Sequence, residues 1–161
     1  MKDMRKIEKY FWKISSFHYF MFPILFAVLL FSCKKDNPAI SEVPEIEFVS
    51  VSPATVTEYQ DQLTITISYT DGDGNLGENN PDVTNLFLTD MRNGVTYEYR
   101  VKQLAPHDAT ISIKGQLEVV LNSVAILSSS NQESVNYSIY VKDRAGNTSN
   151  TVTTSTVTVM K

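Results

Sequence analysis

From Glu45 to the C-terminus, apolar and polar residues alternate with a period of two, and this patterning constrains the fold more than any other feature of the chain. Successive side chains of a strand point to opposite faces, so such alternation buries one face and wets the other. Residues 63–69 place Leu63, Ile65, Ile67 and Tyr69 on one face, with Thr64, Thr66 and Ser68 on the other. Residues 95–102 repeat the pattern, predicting Val95, Tyr97, Tyr99 and Val101 inward and Thr96, Glu98, Arg100 and Lys102 outward. Further strands are predicted at 45–51, 83–89, 110–121, 135–143 and 151–159, separated by stretches rich in Gly, Asn, Asp and Pro. Gly115 reads as a bulge in the fifth strand, and a slip of phase between Val152 and Val157 as a bulge in the last. One helical turn is expected at 124–127.

Seven short strands within about 115 residues imply an all-β fold, an immunoglobulin-like antiparallel β-sandwich. The cysteine pair of antibody domains is missing from this stretch, and the only tryptophan is Trp12. Tyr137, near the start of the sixth strand, stands where a tyrosine corner would place it; Tyr140 and plain core packing are the alternatives.

The N-terminal segment is of another kind. Residues 1–13 carry Lys2, Arg5, Lys6, Lys9 and Lys13 against Asp3 and Glu8, and residues 20–31 (FMFPILFAVLLF) carry no charge. Twelve apolar residues fall short of the roughly 20 that span a bilayer but suit the core of a signal peptide. The run ends at Leu30-Phe31-Ser32-Cys33, which resembles a lipobox: a branched apolar residue, then a small residue directly before the cysteine. Phe31 departs from the small or β-branched residue usual at its place. Cleavage after Ser32 would leave Cys33 as an acylated N-terminus. Cys33 is the one cysteine of the chain, so no internal disulfide forms, and lipidation accounts for it. Burial of acyl chains at about 0.8 kcal/mol per methylene, with two chains on one residue, would hold the protein on a bilayer. Residues 34–44 (KKDNPAISEVP) read as a flexible tether of roughly 30 Å at about 3 Å per residue.

Residues 1–32 hold five of the 14 Lys and Arg and two of the 18 Asp and Glu, so the remainder carries nine against 16, a net charge of −7. Such a surface is a poor ligand for nucleic acid and suits a cation.

The loop Tyr69-Thr70-Asp71-Gly72-Asp73-Gly74-Asn75-Leu76-Gly77 carries the most chemistry. Oxygen-bearing side chains recur at every second position, Asp71, Asp73 and Asn75, with glycines between them that let the loop tighten. It is not an EF-hand, since Leu76 and Asp82 stand where that loop requires Gly and Glu. In a seven-stranded sandwich the connection after 142 lies at the same end as this loop. That would bring Asp143, and Glu45 or Glu47 from the entry of the domain, close to Asp71 and Asp73. Two readings of this carboxylate-rich end stand side by side. A calcium ion is held by Asp71, Asp73, Asn75 and Asp143, or the loop is metal-free and Arg144 offsets part of the charge.

Nothing in the chain marks an enzyme. Beyond the signal segment there is one histidine, His107, expected in a solvated connection, and no glycine-rich phosphate cradle. The lipobox, Lys34-Lys35-Asp36 after the cysteine, the YTDGDGNLG loop and the VKDRAGNTSN segment together look like surface lipoproteins of Bacteroidota with a single Ig-like domain. That resemblance implies an address, the outer membrane and outward display, together with the fold. It leaves two non-catalytic roles. One is a structural or interaction module that engages another envelope protein. The other is a glycan-binding accessory of a polysaccharide uptake system, for which Tyr140 is the outward ring and Phe87, between Leu86 and Leu88, reads in either direction.

Overall fold

The structure, a computed structural model, describes residues 40–161; the expected signal segment, Cys33 and the first part of the expected tether lie outside the described residues. Ten strands form: β1 Glu45–Ser52, β2 Thr55–Thr57, β3 Leu63–Asp71, β4 Leu86–Asp90, β5 Thr96–Tyr99, β6 Ile113–Leu121, β7 Gln132–Val135, β8 Tyr137–Val141, β9 Val152–Thr153 and β10 Val157–Met160. They make three sheets, in the orders β1-β3-β6, β5-β4-β8-β9 and β2-β10-β7. The described chain is therefore all-β, a layered arrangement consistent with a β-sandwich.

The alternation explains the core. Leu63, Ile65 and Ile67 of β3 are fully buried, as are Leu86 and Leu88 of β4 and Ile139 and Val141 of β8. Each such side chain contributes about 1.5–3 kcal/mol when removed from water. β3 is the central strand of its sheet, paired over its whole length with β6 and, across one irregularity, with β1.

Several expectations change in detail. The sixth and seventh predicted strands are each broken in two. Asn136 separates β7 from β8, and its amide donates to Thr154 O at 2.9 Å, bracing the crossing point. The slip of phase in the last strand is thus the gap between β9 and β10, where the chain passes from one sheet to another, and not a bulge. Gly115 is not a bulge either: the β3–β6 register runs unbroken from Leu63↔Leu121 to Asp71↔Ile113. The glycine is there because the Tyr69 ring lies across it, and a Cβ at Gly115 would stand 2.7 Å from the Tyr69 hydroxyl. The bulge is in β1, between Phe48 and Ser50, where the apolar phase moves from Ile46 and Phe48 to Val51.

Val95 and Tyr97 are exposed although their phase is inward: Val95 precedes β5, and Tyr97 lies on β5, the edge strand of its sheet. The expected helical turn at 124–127 is irregular chain instead, held by Ile126 N–H donating to Glu58 Oε2 (3.1 Å) and Leu127 N–H to Glu133 Oε2 (2.6 Å). Tyr137 is buried in the core near Asp90 and Arg92, and no hydrogen bond of its hydroxyl occurs among the described residues, so plain core packing describes it. β2, which was not foreseen, runs parallel to β10.

Candidate functional site

Asp71 is where core patterning and loop chemistry meet. It is the last residue of β3 and continues the inward phase of Leu63, Ile65, Ile67 and Tyr69, so the strand drives a carboxylate into the end of the core with 0% exposure. Its Oδ2 accepts from Leu76 N–H at 2.8 Å, which closes the loop on itself. Leu76 is itself fully buried and plugs the same end of the core. Asn75 Nδ2 donates to Asp73 Oδ2 at 2.6 Å. That leaves Asp71 Oδ1, Asp73 Oδ1 and Asn75 Oδ1 sealed from solvent with no hydrogen-bond partner, and they are the only side-chain atoms so placed among the described residues. An unpartnered buried polar group costs about 1–3 kcal/mol, and more when charged. Burial pushes the Asp71 carboxyl up to about 6; Leu76 N–H opposes this, whereas Asp73 and the charge of Asp143 add to it.

The loop is gripped from three sides. Gly72 N–H donates to Ser41 O at 2.8 Å, and a Cβ at Gly72 would lie 2.3 Å from Ile40 O, so only glycine lets the incoming chain lie against the loop. The end of the expected free tether, Ser41 to Pro44, is accordingly seated on the domain, with Pro44 buried. On a second side Glu78 N–H donates to Val101 O at 2.9 Å. On the third, Leu76 bridges Asp143, and Arg144 N–H donates to Asn75 O at 3.3 Å. The two connections do share one end of the fold.

The predicted residues divide. Asp71, Asp73 and Asn75 come together. Asp143 is near enough for its charge to act on Asp71, but its oxygens accept from Asn147 N–H (2.7 Å) and Asn147 Nδ2 (2.8 Å), which makes it the cap of its own turn. Arg144 does not pair with the carboxylates. The turn carries its guanidinium past them to the carbonyls of Gly77 (2.8 Å) and Gly74 (3.4 Å), and the ion pairs among the described residues belong to Arg92, with Asp90 and Glu133. Glu45 and Glu47 lie on the exposed face of β1, opposite in phase to Ile46. His107 is exposed in the connection after β5. Glu78 turns its carboxylate onto the Asn80 and Asn79 N–H groups, which hold its pKa below the usual range. No three Asp, Glu, His or Cys side chains gather as metal ligands among the described residues, so the cluster is two carboxylates and one amide.

Two asparagines escaped the sequence reading. Asn85 is buried and spans Val101 with both ends of its amide, accepting from Val101 N–H (2.6 Å) and donating to Val101 O (3.2 Å). Asn150 does the same to Ile46, at 2.8 Å each way. Asn85 thus continues the β4–β5 pairing past Leu86↔Tyr99, and Asn150 ties the chain before β9 to β1.

No protein-family model matches the chain, and no curated protein is significantly similar to it.

Proposed function

We propose that the protein is an outer-membrane or cell-surface lipoprotein, anchored by acylated Cys33, whose Ig-like sandwich is a non-catalytic module that engages another envelope protein. Support for the Ig-like reading comes from joining β7 with β8 and β9 with β10. With β1, β3, β4, β5 and β6 this makes seven principal strands, and β2 is an accessory to the last.

The observation that carries the interaction reading is β6. Its nine residues pair with β3 along one edge, while the other edge takes no backbone hydrogen bond among the described residues. An unpaired edge of this length is a template for an added strand. Beside it runs an open groove of about 460 Å³, floored by Leu86, Leu104, Leu117 and Val119 and rimmed by Arg100 and Lys102. Alternate side chains of an extended partner segment would enter that groove while its backbone pairs with β6.

The glycan reading has less to stand on. Phe87 and Tyr140 are neighbours on the outer face, but their rings stack on each other at 4.7 Å, with the Lys142 ammonium 5.3 Å from the Phe87 centroid. These contacts spend ring faces inside the protein that a sugar would need.

A photo-crosslinking residue at Glu118, on the exposed face of β6, tests the interaction in intact cells. A discrete adduct is expected that is lost when Val120→Arg obstructs the groove, with Glu47 on β1 as the silent control. Equal labelling from both positions would refute the reading. Binding of a polysaccharide that is abolished by Tyr140→Ala would replace it with the glycan role.

A further inference from the structure

We propose that the 71–75 loop is a calcium site whose side-chain ligands are Asp71 Oδ1, Asp73 Oδ1 and Asn75 Oδ1. Among the described residues these three are the side-chain oxygen and nitrogen atoms that are sealed from solvent and yet lack a hydrogen-bond partner, and they fall at alternate positions of one five-residue loop. Asp71 Oδ1 is the decisive atom. It belongs to a residue with no exposed surface and stands close to the Asp73 carboxylate, whose Oδ1 likewise accepts no hydrogen bond.

The donor set selects the ion. All three atoms are oxygens, which suits a hard cation, and two carboxylates balance a divalent charge. Calcium takes six to eight oxygen ligands in a flexible geometry, so water and backbone carbonyls complete its shell; magnesium demands a stricter octahedron and sheds water reluctantly. Arg144, the cation of the adjoining turn, is committed to the carbonyls of Gly74 and Gly77. The loop is also pre-shaped. Leu76 N–H fixes Asp71 through Oδ2, and Asn75 Nδ2 holds Asp73 through its Oδ2, so in each carboxylate one oxygen is restrained and the other is free. Nothing in this assignment depends on the membrane anchor or on the β6 edge.

The test uses the full chain purified in detergent, stripped with EDTA and titrated with calcium chloride. Isothermal calorimetry should give one saturable site with a dissociation constant of about 0.1–1 mM, the range of extracellular calcium modules. Magnesium should bind at least tenfold more weakly. Asp73→Ala and Asn75→Ala, which leave the buried Asp71 in place, should each weaken calcium binding at least tenfold, whereas Asp82→Ala, an exposed acid of the same connection, should not change it. Absence of binding at 5 mM calcium would overturn the proposal. So would binding that survives both Asp73→Ala and Asn75→Ala, because the ion would then sit elsewhere.

Discussion

Replacing Asp71 by asparagine separates a charge kept for a ligand from a charge kept for the fold. The carboxyl has 0% exposure, and its pKa is raised from 3.8 to about 6, chiefly by burial. The folded chain therefore holds this proton more tightly than the unfolded chain does. Without a cation, this carboxyl's contribution to stability is greatest below about pH 4 and falls as pH rises through about 6. A shift of about two units corresponds to at most about 3 kcal/mol of destabilisation at neutral pH. Asparagine keeps the oxygen that accepts from Leu76 N–H and adds an amide donor directed at Asp73. In EDTA at pH 7.5, Asp71→Asn should unfold at a higher temperature than the parent, by several degrees for a domain of this size. Its stability should also lose the fall between pH 4 and 6. In millimolar calcium the order should reverse, since a ligand bound only by the folded parent stabilises it by mass action. Differential scanning fluorimetry across pH 3.5–8, with and without calcium, reads both effects. A variant less stable than the parent in EDTA at neutral pH would refute the reasoning, because the carboxylate would then be satisfied by the fold alone.

Further outcomes follow from single contacts. Asn85→Ala leaves Val101 N–H buried without its partner, while Val101 O keeps the Glu78 N–H, and should cost about 1–3 kcal/mol, read as a lowered urea midpoint with unchanged slope. Gly72→Ala forces a methyl against the carbonyls of Ile40 and Ser41; limited proteolysis should then cut the 34–44 segment faster, while the melting temperature of the sandwich drops only slightly. Leu76→Ala opens the loop end of the core and should cost about 3 kcal/mol by denaturant titration.

What could be read from the sequence follows the range of the interactions. β3 was legible because Leu63, Ile65 and Ile67 signal their burial through their own spacing, and Asp71, Asp73 and Asn75 because they converge within one turn of chain. The pairing of Asn150 with Ile46 was not legible, since it joins residues 104 apart and an asparagine looks the same in a turn. Arg144 was correctly placed at the loop but wrongly directed, because charge suggests carboxylates while the turn geometry delivers carbonyls. Gly115 looked like a bulge because the reason for it, the Tyr69 ring, sits on another strand. The bulge at Phe48–Ser50 did leave a local signal, the change of apolar phase within β1. Tyr97 carries inward phase on an edge strand, and alternation alone does not distinguish an edge from a centre.

The central claim, that this domain is presented from a lipid-anchored N-terminus, meets its most direct test in the mass of the mature chain. Intact-mass and N-terminal peptide analysis of protein extracted from membranes should find Cys33 as the first residue, carrying a diacylglyceryl group, and Cys33→Ala should release the domain from the membrane fraction. A chain that retains Met1, or begins at an unmodified Cys33, would contradict it.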